Sequence, residues 1–364
     1  MVLFMKINGT VTGISSKRRV KKEGSKMNIR DIAKLAGVGV STVSRVLNNH
    51  PDVKESTREK VLEIIKDSNY IPNNSARILK QNNTKNIGVL AKGVFNPFFS
   101  EMISVIGNKI EESKYTMILQ QNDYALAEDV DMLISFVKEK RLQGIICLGG
   151  NFIDVTENSF ENLGIPIVIT SVSTISKVGK GSYSSVGIDD VKAAYDATQY
   201  IIKKGHKKIA MMIGEKNDFG ISWWRYSGFL EALKENNLEE NIDNLLIGNY
   251  DTRIAYEETK KYLKENPDIT AIFAISDFMA TGVAKAICDL GLKIGKDISV
   301  VGFDGMDISE FYNPGITTVK QPKREIALKS IELLFDLLKG ECENKHLVLE
   351  TELIERESCG NIIK

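Results

Sequence analysis

The chain has 364 residues, 43% hydrophobic and 26% charged, the mix of a globular protein of two to three domains. No apolar run reaches the roughly 18 residues of a membrane helix, the extreme N-terminus is too short for a signal-peptide core, and Cys147, Cys288, Cys342 and Cys359 are too scattered for a zinc knuckle or a disulfide framework, so a cytoplasmic protein is expected. The net charge of zero hides an asymmetry: residues 1–26 carry +6, residues 27–86 carry +4 and the remainder carries −10. A basic head on an acidic body points to a polyanion partner at one end.

Residues 1–26 show no periodicity and contain the basic run Lys17-Arg18-Arg19-Val20-Lys21-Lys22. Three readings stay open: a nucleic-acid arm, a disordered tail, or upstream sequence translated ahead of a true start at Met27. The third is suggested by Lys22-Glu23-Gly24, whose codons can spell a ribosome-binding sequence.

From Met27 the pattern is helical. Ile29, Ile32, Ala33 and Ala36 share one face of a first helix, and Gly37 ends it. A second, short helix over 40–47 buries Val43 and Val46. After the loop composition of 48–52, a third helix buries Val61, Ile64 and Ile65, with Ser56-x-x-Glu59 as an expected capping box. Small Ala33 permits a close crossing of the first two helices, and the second exposes Val40, Ser41, Ser44 and Arg45 between its buried positions. A helix-turn-helix that reads a major groove and a plain three-helix bundle both fit this pattern.

From Ile87 apolar strands alternate with helices. Strands are expected over 87–90, 116–119, 144–148, 166–169, 208–213, 271–274 and 298–303, and helices over 99–112, 127–140, 190–204, 224–235, 253–265 and 278–290. This alternation predicts an α/β unit of two lobes with parallel sheets and crossover helices, which bind ligands at the carboxyl ends of their strands. No Gly-x-Gly-x-x-Gly follows a strand, no phosphate-binding Gly-x-x-x-x-Gly-Lys occurs, and no Ser/His/Asp order or metal-ligand cluster stands out. No catalytic residue, metal or cofactor is expected, and an α/β enzyme is the weaker alternative.

An ordered series of motifs resembles the LacI/GalR family of bacterial transcription regulators. Residues 28–38 (Asn-Ile-Arg-Asp-Ile-Ala-Lys-Leu-Ala-Gly-Val) and 41–48 (Ser-Thr-Val-Ser-Arg-Val-Leu-Asn) are similar to its DNA-binding headpiece. Residues 70–73 (Tyr-Ile-Pro-Asn) and Ala76-Arg77-x-Leu79 are similar to its hinge. Asn96-Pro-Phe-Phe99, Val186-Gly-Ile-Asp189, residues 205–209, Val300-Val-Gly-Phe-Asp304 and residues 317–322 are similar to its effector core. The resemblance runs from Met27 to about Ser358.

It implies a helical headpiece over 27–72, a hinge helix over 73–84, and a two-lobed, periplasmic-binding-protein-like α/β core over 85–364. The N-lobe would hold about 85–189 and 321–347, and the C-lobe about 190–320 and 348–364, with chain crossings near Asp189, Gln321 and Leu347. It implies a homodimer on a near-palindromic double-stranded DNA operator, without the C-terminal extension that makes tetramers in some members.

The DNA-contacting residues it implies are Val40, Ser41, Thr42, Ser44, Arg45, Asn48, Tyr70, Asn73, Ala76 and Leu79. Val40 offers apolar contact, Arg45 reaches guanine or phosphate, and Leu79 wedges into the minor groove. A surface salt bridge is the bland reading of Arg45. The candidate effector-binding residues are Phe98, Phe99, Ser171, Arg225, Asp277 and Asp304: Arg225 matches the family's effector-binding arginine, Asp277 and Asp304 follow strands where open sheets take ligands, and Arg and Asp suit a polyhydroxyl ligand because they give and take directional hydrogen bonds. Asp277 as a helix cap and Asp304 as a turn residue are the bland readings; Trp223 or Trp224 could also stack on a sugar, and His206 reads as structural. The function implied is repression of carbohydrate-utilisation genes under control of a sugar-like effector, or of a purine-like or other corepressor. Two positions depart from the family pattern: Gly39 stands where Ser usually caps the second helix, and Thr170-Ser171-Val172 replaces an Ile-Asp-Arg near the effector cleft.

Overall fold

The computed structural model describes residues 28–47, 50–68, 85–93, 97–122, 129–150, 152, 160, 163–171, 179, 181–215 and 220–362. The basic extension, the hinge segment, and Asn48, Tyr70, Asn73, Ala76 and Leu79 lie outside the described residues. The chain divides into two compact units, Met1–Asn82 and Asn83–Lys364.

The N-terminal unit holds three helices: α1 (Ile29–Ala36), α2 (Val40–Leu47) and α3 (Glu55–Asp67). Asn28 caps α1, its side chain accepting from the Arg30 and Asp31 amides while Asp31 accepts from the Asn28 amide. This reciprocal pair is a capping box, and it sits at α1, not at α3 as expected. Lys54 precedes α3 and makes no side-chain cap bond. Ser56 lies inside the helix, where the extended backbone of a cap residue is lost. Gly37 ends α1 at φ +69°, a left-handed conformation that glycine adopts without steric cost. The Gly39 carbonyl starts α2 by accepting from Thr42 and Val43. Ile32, Ala33, Ala36, Val43, Val46 and Val61 form the core, with Ile29, Ile64 and Ile65 half-buried against it.

The second unit runs β1 (Asn86–Lys92), α4 (Pro97–Glu111), β2 (Thr116–Asn122), α5 (Asp129–Lys140), β3 (Leu142–Leu148), β4 (Ile167–Thr170), β5 (Ser184–Ile188), α6 (Asp190–Lys203), β6 (Ile209–Ile213) and α7 (Ile221–Glu235). It continues through β7 (Leu245–Ile247), α8 (Thr252–Glu265), β8 (Ala271–Ala274), α9 (Asp277–Asp289), β9 (Ser299–Asp304), α10 (Asp307–Phe311), β10 (Thr317–Lys320), α11 (Lys323–Lys339), β11 (His346–Leu349) and β12 (Glu352–Ile354).

These strands make two six-stranded sheets, ordered β11-β5-β4-β3-β1-β2 and β12-β10-β9-β8-β6-β7. All pairings are parallel except β10 with β12. Parallel sheets are covered on both faces, and accordingly β1, β3, β4, β6, β8 and β9 are almost wholly buried. The chain passes between sheets after β5, between β10 and α11, and between β11 and β12. The last passage falls after Leu349, two residues beyond the expected Leu347.

Helix α11 packs on α4 and across β3, β4 and β5, so it belongs to the first lobe although it follows a strand of the second. In the second lobe α6 and α7 lie close together. A Cβ on Gly228 of α7 would stand 2.1 Å from the Val191 carbonyl oxygen, so only glycine permits that approach. Among the described residues no helix is long and apolar enough to cross a membrane.

Candidate DNA face and effector site

Helix α2 buries Val43 and Val46 and leaves a second face outward. Val40 is 41% exposed, Ser41 and Arg45 are exposed, and Thr42 and Ser44 are half-buried. The 3.6-residue period therefore brings together five of the expected DNA contacts on one short helix. The Arg45 Nη1 donates to Asp52 Oδ2 at 3.0 Å, and His50 Nδ1 meets the other oxygen, Oδ1, at 2.7 Å. The salt bridge weighed as the bland reading of Arg45 is thus present, and it is solvent-exposed.

In the core the candidate effector residues separate by lobe. Arg225, on the first turn-and-a-half of α7, is only 4% exposed. Its Nε donates to Asp190 Oδ1 at 2.8 Å, its Nη1 donates to the Ile275 carbonyl at 2.5 Å and lies 3.8 Å from Asp304 Oδ1. The guanidinium lies over the Phe303 ring, 3.6 Å from its centroid, an attraction that adds to the ion pairing. Asp304 ends β9 at φ +115°, a conformation costly for any residue but glycine, and accepts from Gln321 Nε2 at 2.9 Å.

Asp277 is fully buried, and both its oxygens are used. Oδ1 accepts from Thr318 Oγ1 and Oδ2 from the Met306 amide, each at 2.6 Å. Ser276, one residue earlier, caps α9, so Asp277 braces the turn after β9 rather than capping a helix. Gly302 makes room for it, since a Cβ there would lie 2.3 Å from Asp277 Oδ1.

Two buried carboxylates, Asp190 and Asp304, flank the Arg225 guanidinium, and a third, Asp277, raises the proton affinity of Asp304. Burial pushes the Asp304 carboxyl up to about 8; Arg225 pulls it back and Asp277 adds to the rise. Burial pushes Asp277 up to about 6, against the hydrogen bonds from Thr318 and Met306. Asp190 is raised by burial as well, against the attraction of Arg225.

In the first lobe Phe98 and Phe99 occupy the first turn of α4, edge to face at 5.2 Å between centroids, and both are core residues. Met306 is buried in the same cluster and Phe278 packs against it, so the turn after β9 and the start of α9 reach the first lobe's core here. Ser171 follows β4 at φ +55°. Its hydroxyl and that of Thr170 are buried without a hydrogen-bond partner among the described residues. An unpaired buried hydroxyl costs free energy unless a ligand or water meets it. Trp223 is exposed and sits edge to face with Tyr226, while Trp224 is half-buried. His206 is buried between Thr270 Oγ1 at 3.0 Å and the Gly360 carbonyl at 3.1 Å, where burial lowers its pKa. It pins the C-terminal segment.

Three residues of this neighbourhood, Asp190, Gln321 and Tyr250, were not read as part of the site. Asp189 caps α6 through the Lys192 amide, which leaves the adjacent Asp190 for Arg225; two acids at one helix start are the signal. Gln321 marks a crossing and carries a side chain that reaches Asp304. Tyr250 follows Asn249 with both residues at positive φ, its hydroxyl 2.8 Å from Ser222 Oγ and its ring against Gly214. The strand before it has only three residues, too few to show a period.

Comparison with known proteins agrees with this architecture. Residues 28–73 match the model of bacterial regulatory proteins of the lacI family, and residues 198–359 match a periplasmic binding protein-like domain. The HTH-type transcriptional regulator MalR of Clostridium butyricum is 64% identical over 92% of this chain and 100% of its own length. The HTH-type transcriptional repressor PurR of Vibrio vulnificus is 35% identical over 92% of this chain and 99% of its own. Among solved structures, the complex of the transcriptional regulator CelR with cellobiose superposes with a TM-score of 0.68 at 27% identity, covering 92% of this chain and 100% of that one. With a helix-turn-helix at its head, two parallel-sheet lobes behind it and a full-length relative at 64% identity, the chain belongs to the lacI family of bacterial regulatory proteins and is a DNA-binding transcriptional regulator.

Proposed function

We propose that this regulator is a homodimeric repressor of carbohydrate-utilisation genes, released from or held on its operator by a sugar-like effector bound between the two lobes of the core. The observation that carries the reading is the buried group of Arg225, Asp190, Asp304 and Asp277 beside the carboxyl ends of β8 and β9. It offers directional donors and acceptors where open α/β sheets take ligands. Ser171, with its partnerless hydroxyl at the end of β4, supplies the opposing polar group, and Phe98 and Phe99 an apolar wall. The similarity to a cellobiose complex favours a saccharide. The PurR relatives keep a purine-like corepressor as the second reading.

On the DNA side, Val40, Ser41, Thr42, Ser44 and Arg45 read the major groove of each half-site, Asn48, Tyr70, Asn73 and Ala76 are further DNA contacts, and Leu79 is the minor-groove wedge. Two headpieces related by two-fold symmetry call for half-sites about one helical turn apart. The effector acts by preferring one lobe arrangement over the other, since a ligand shifts an equilibrium only through such a difference.

The test is titration of a duplex selected from random DNA by the wild-type chain, with and without each of a panel of mono- and disaccharides that includes cellobiose. One saccharide should change the duplex affinity by about 5- to 150-fold, and Arg225→Lys should abolish that change while leaving the effector-free affinity in place. If no saccharide acts and a purine base does, the sugar reading falls and the corepressor reading stands.

A further inference from the structure

The loop joining α2 to α3 carries a polar network that the DNA-reading assignments do not use. Asp52 accepts from Arg45 Nη1 on one oxygen and meets His50 Nδ1 on the other. The His50 ring nitrogen carries its proton there in the tautomer that suits a carboxylate. The backbone is tied at the same place: the His50 amide donates to the Arg45 carbonyl at 2.9 Å. From α3, Arg58 Nη2 donates to the His50 carbonyl at 2.7 Å, and that arginine, 13% exposed, also pairs with Glu55 at 3.4 Å. Asp52 thus stands on a loop held from both helices.

An isolated exposed ion pair imposes little order, because two long side chains must freeze to make it. Here only one side chain is long. The carboxylate is short, and its second oxygen is fixed by His50. Among the described residues only Nη1 of Arg45 is engaged. With that corner held, the Nε–Nη2 edge has no partner among the described residues, and this is a two-donor edge that can match guanine O6 and N7. An aspartate paired with a DNA-reading arginine would otherwise only repel the phosphates.

We propose that Asp52 is a positioning residue for sequence reading: braced by His50, it orients the Arg45 guanidinium so that its free edge selects guanine in the major groove. The inference rests on the reading of Arg45 as a base contact. Its signature is a loss of selectivity without a loss of general DNA affinity. Removing the carboxylate frees the guanidinium to swing to the nearest phosphate, which carries no sequence information, and it also removes a negative charge from the interface.

The experiment is selection of randomised duplexes in parallel by the full-length wild type, Asp52→Ala, Asp52→Asn and Arg45→Ala, followed by titration of each chain on the wild-type consensus, on that consensus with adenine for guanine at the position Arg45→Ala no longer selects, and on an unrelated duplex. The wild type should prefer guanine at one symmetric pair of positions, and Arg45→Ala should lose that preference. Asp52→Ala should reduce the guanine-over-adenine ratio by about fivefold or more, while its affinity for the unrelated duplex stays equal or rises. Asp52→Asn, which keeps an acceptor oxygen and the side-chain size, should fall between and guards against a misfolded alanine variant. If Arg45→Ala loses the preference and both Asp52 variants keep it, the positioning role is refuted and Asp52 is a surface ion-pair partner only. If Arg45→Ala keeps the preference, the base-contact reading of Arg45 fails and the inference falls with it.

Discussion

Arg45 of the headpiece and Arg225 of the core each hold an aspartate at nearly the same distance, 3.0 Å and 2.8 Å. Their surroundings are opposite. The Arg45 and Asp52 side chains are 58% and 45% exposed, those of Arg225 and Asp190 5% and 8%. An exposed pair contributes about 0–1 kcal/mol, so the Arg45 guanidinium can be committed to DNA at little cost to the fold. A buried pair behaves differently: whatever its net contribution, removing one member strands the other and costs about 3–5 kcal/mol. Arg225 also sits between two carboxylates, a carbonyl and an aromatic face, so it is a fold-forming residue and a candidate ligand group at once. The headpiece keeps its charge on the surface to be used, while the core keeps its charge buried and poised.

The largest effect should come from Arg225→Ala, which strands Asp190 and Asp304 and should lower core stability by about 3–5 kcal/mol in urea unfolding. Arg225→Lys, which keeps the charge and loses the fork, should cost less. A loss below about 1 kcal/mol for the alanine variant would break the contrast with Arg45. Next, Gly228→Ala should cost about 1–3 kcal/mol through the contact with the Val191 carbonyl. That loss should be independent of salt, which separates packing from charge in the same lobe.

A smaller effect concerns pH. Asp304 has a folded pKa of about 8, above the ordinary carboxylate range. The folded state therefore holds a proton that the unfolded state has released, and this contribution to stability is full below about pH 4 and is lost as pH rises through about 8. Urea unfolding at several pH values should show the wild type losing stability over that window and Asp304→Asn losing less. Equal slopes would mean that another group carries the proton. The smallest change in stability should come from Arg45→Ala, within about 0.5 kcal/mol, although its affinity for the selected duplex should drop on the order of tenfold. A melting shift as large as that of Gly228→Ala would show the headpiece pair to be structural.

Much of the fold was legible because hydrophobic period is local. Ile32, Ala33, Ala36, Val43 and Val46 fall on helix faces by spacing alone. The seven expected strands all occur: six are buried parallel strands that read as apolar runs, and the seventh, β2, is a partly exposed edge strand that still carries Met117-Ile118-Leu119. What escaped notice was short, polar or at an edge. Strand β7 has three residues, and β11 and β12 are largely unburied. Helix α11 carries Ile326, Ala327, Ile331 and Leu334 inward at helical spacing, and that period was readable but was not read. The capping box fell on Asn28 rather than Ser56 because caps depend on the backbone just outside the helix, and a four-residue motif does not say where the helix begins.

By itself, the sequence determined the three headpiece helices, the order of seven strands and six helices of the core, the outward face of α2, and the motif series that marks the family, since each rests on residues near one another in the chain. Only the tertiary structure decided that Asp190, 35 residues away, is the partner of Arg225. The same is true of Asp277, whose two oxygens are taken by Met306 and Thr318, and of the single guanidinium that Asp190 and Asp304 share. The energetics of such groups depend on how far water is excluded and on which other charges are excluded with them. Both are properties of the packed lobe, and neither is carried by any short stretch of the chain.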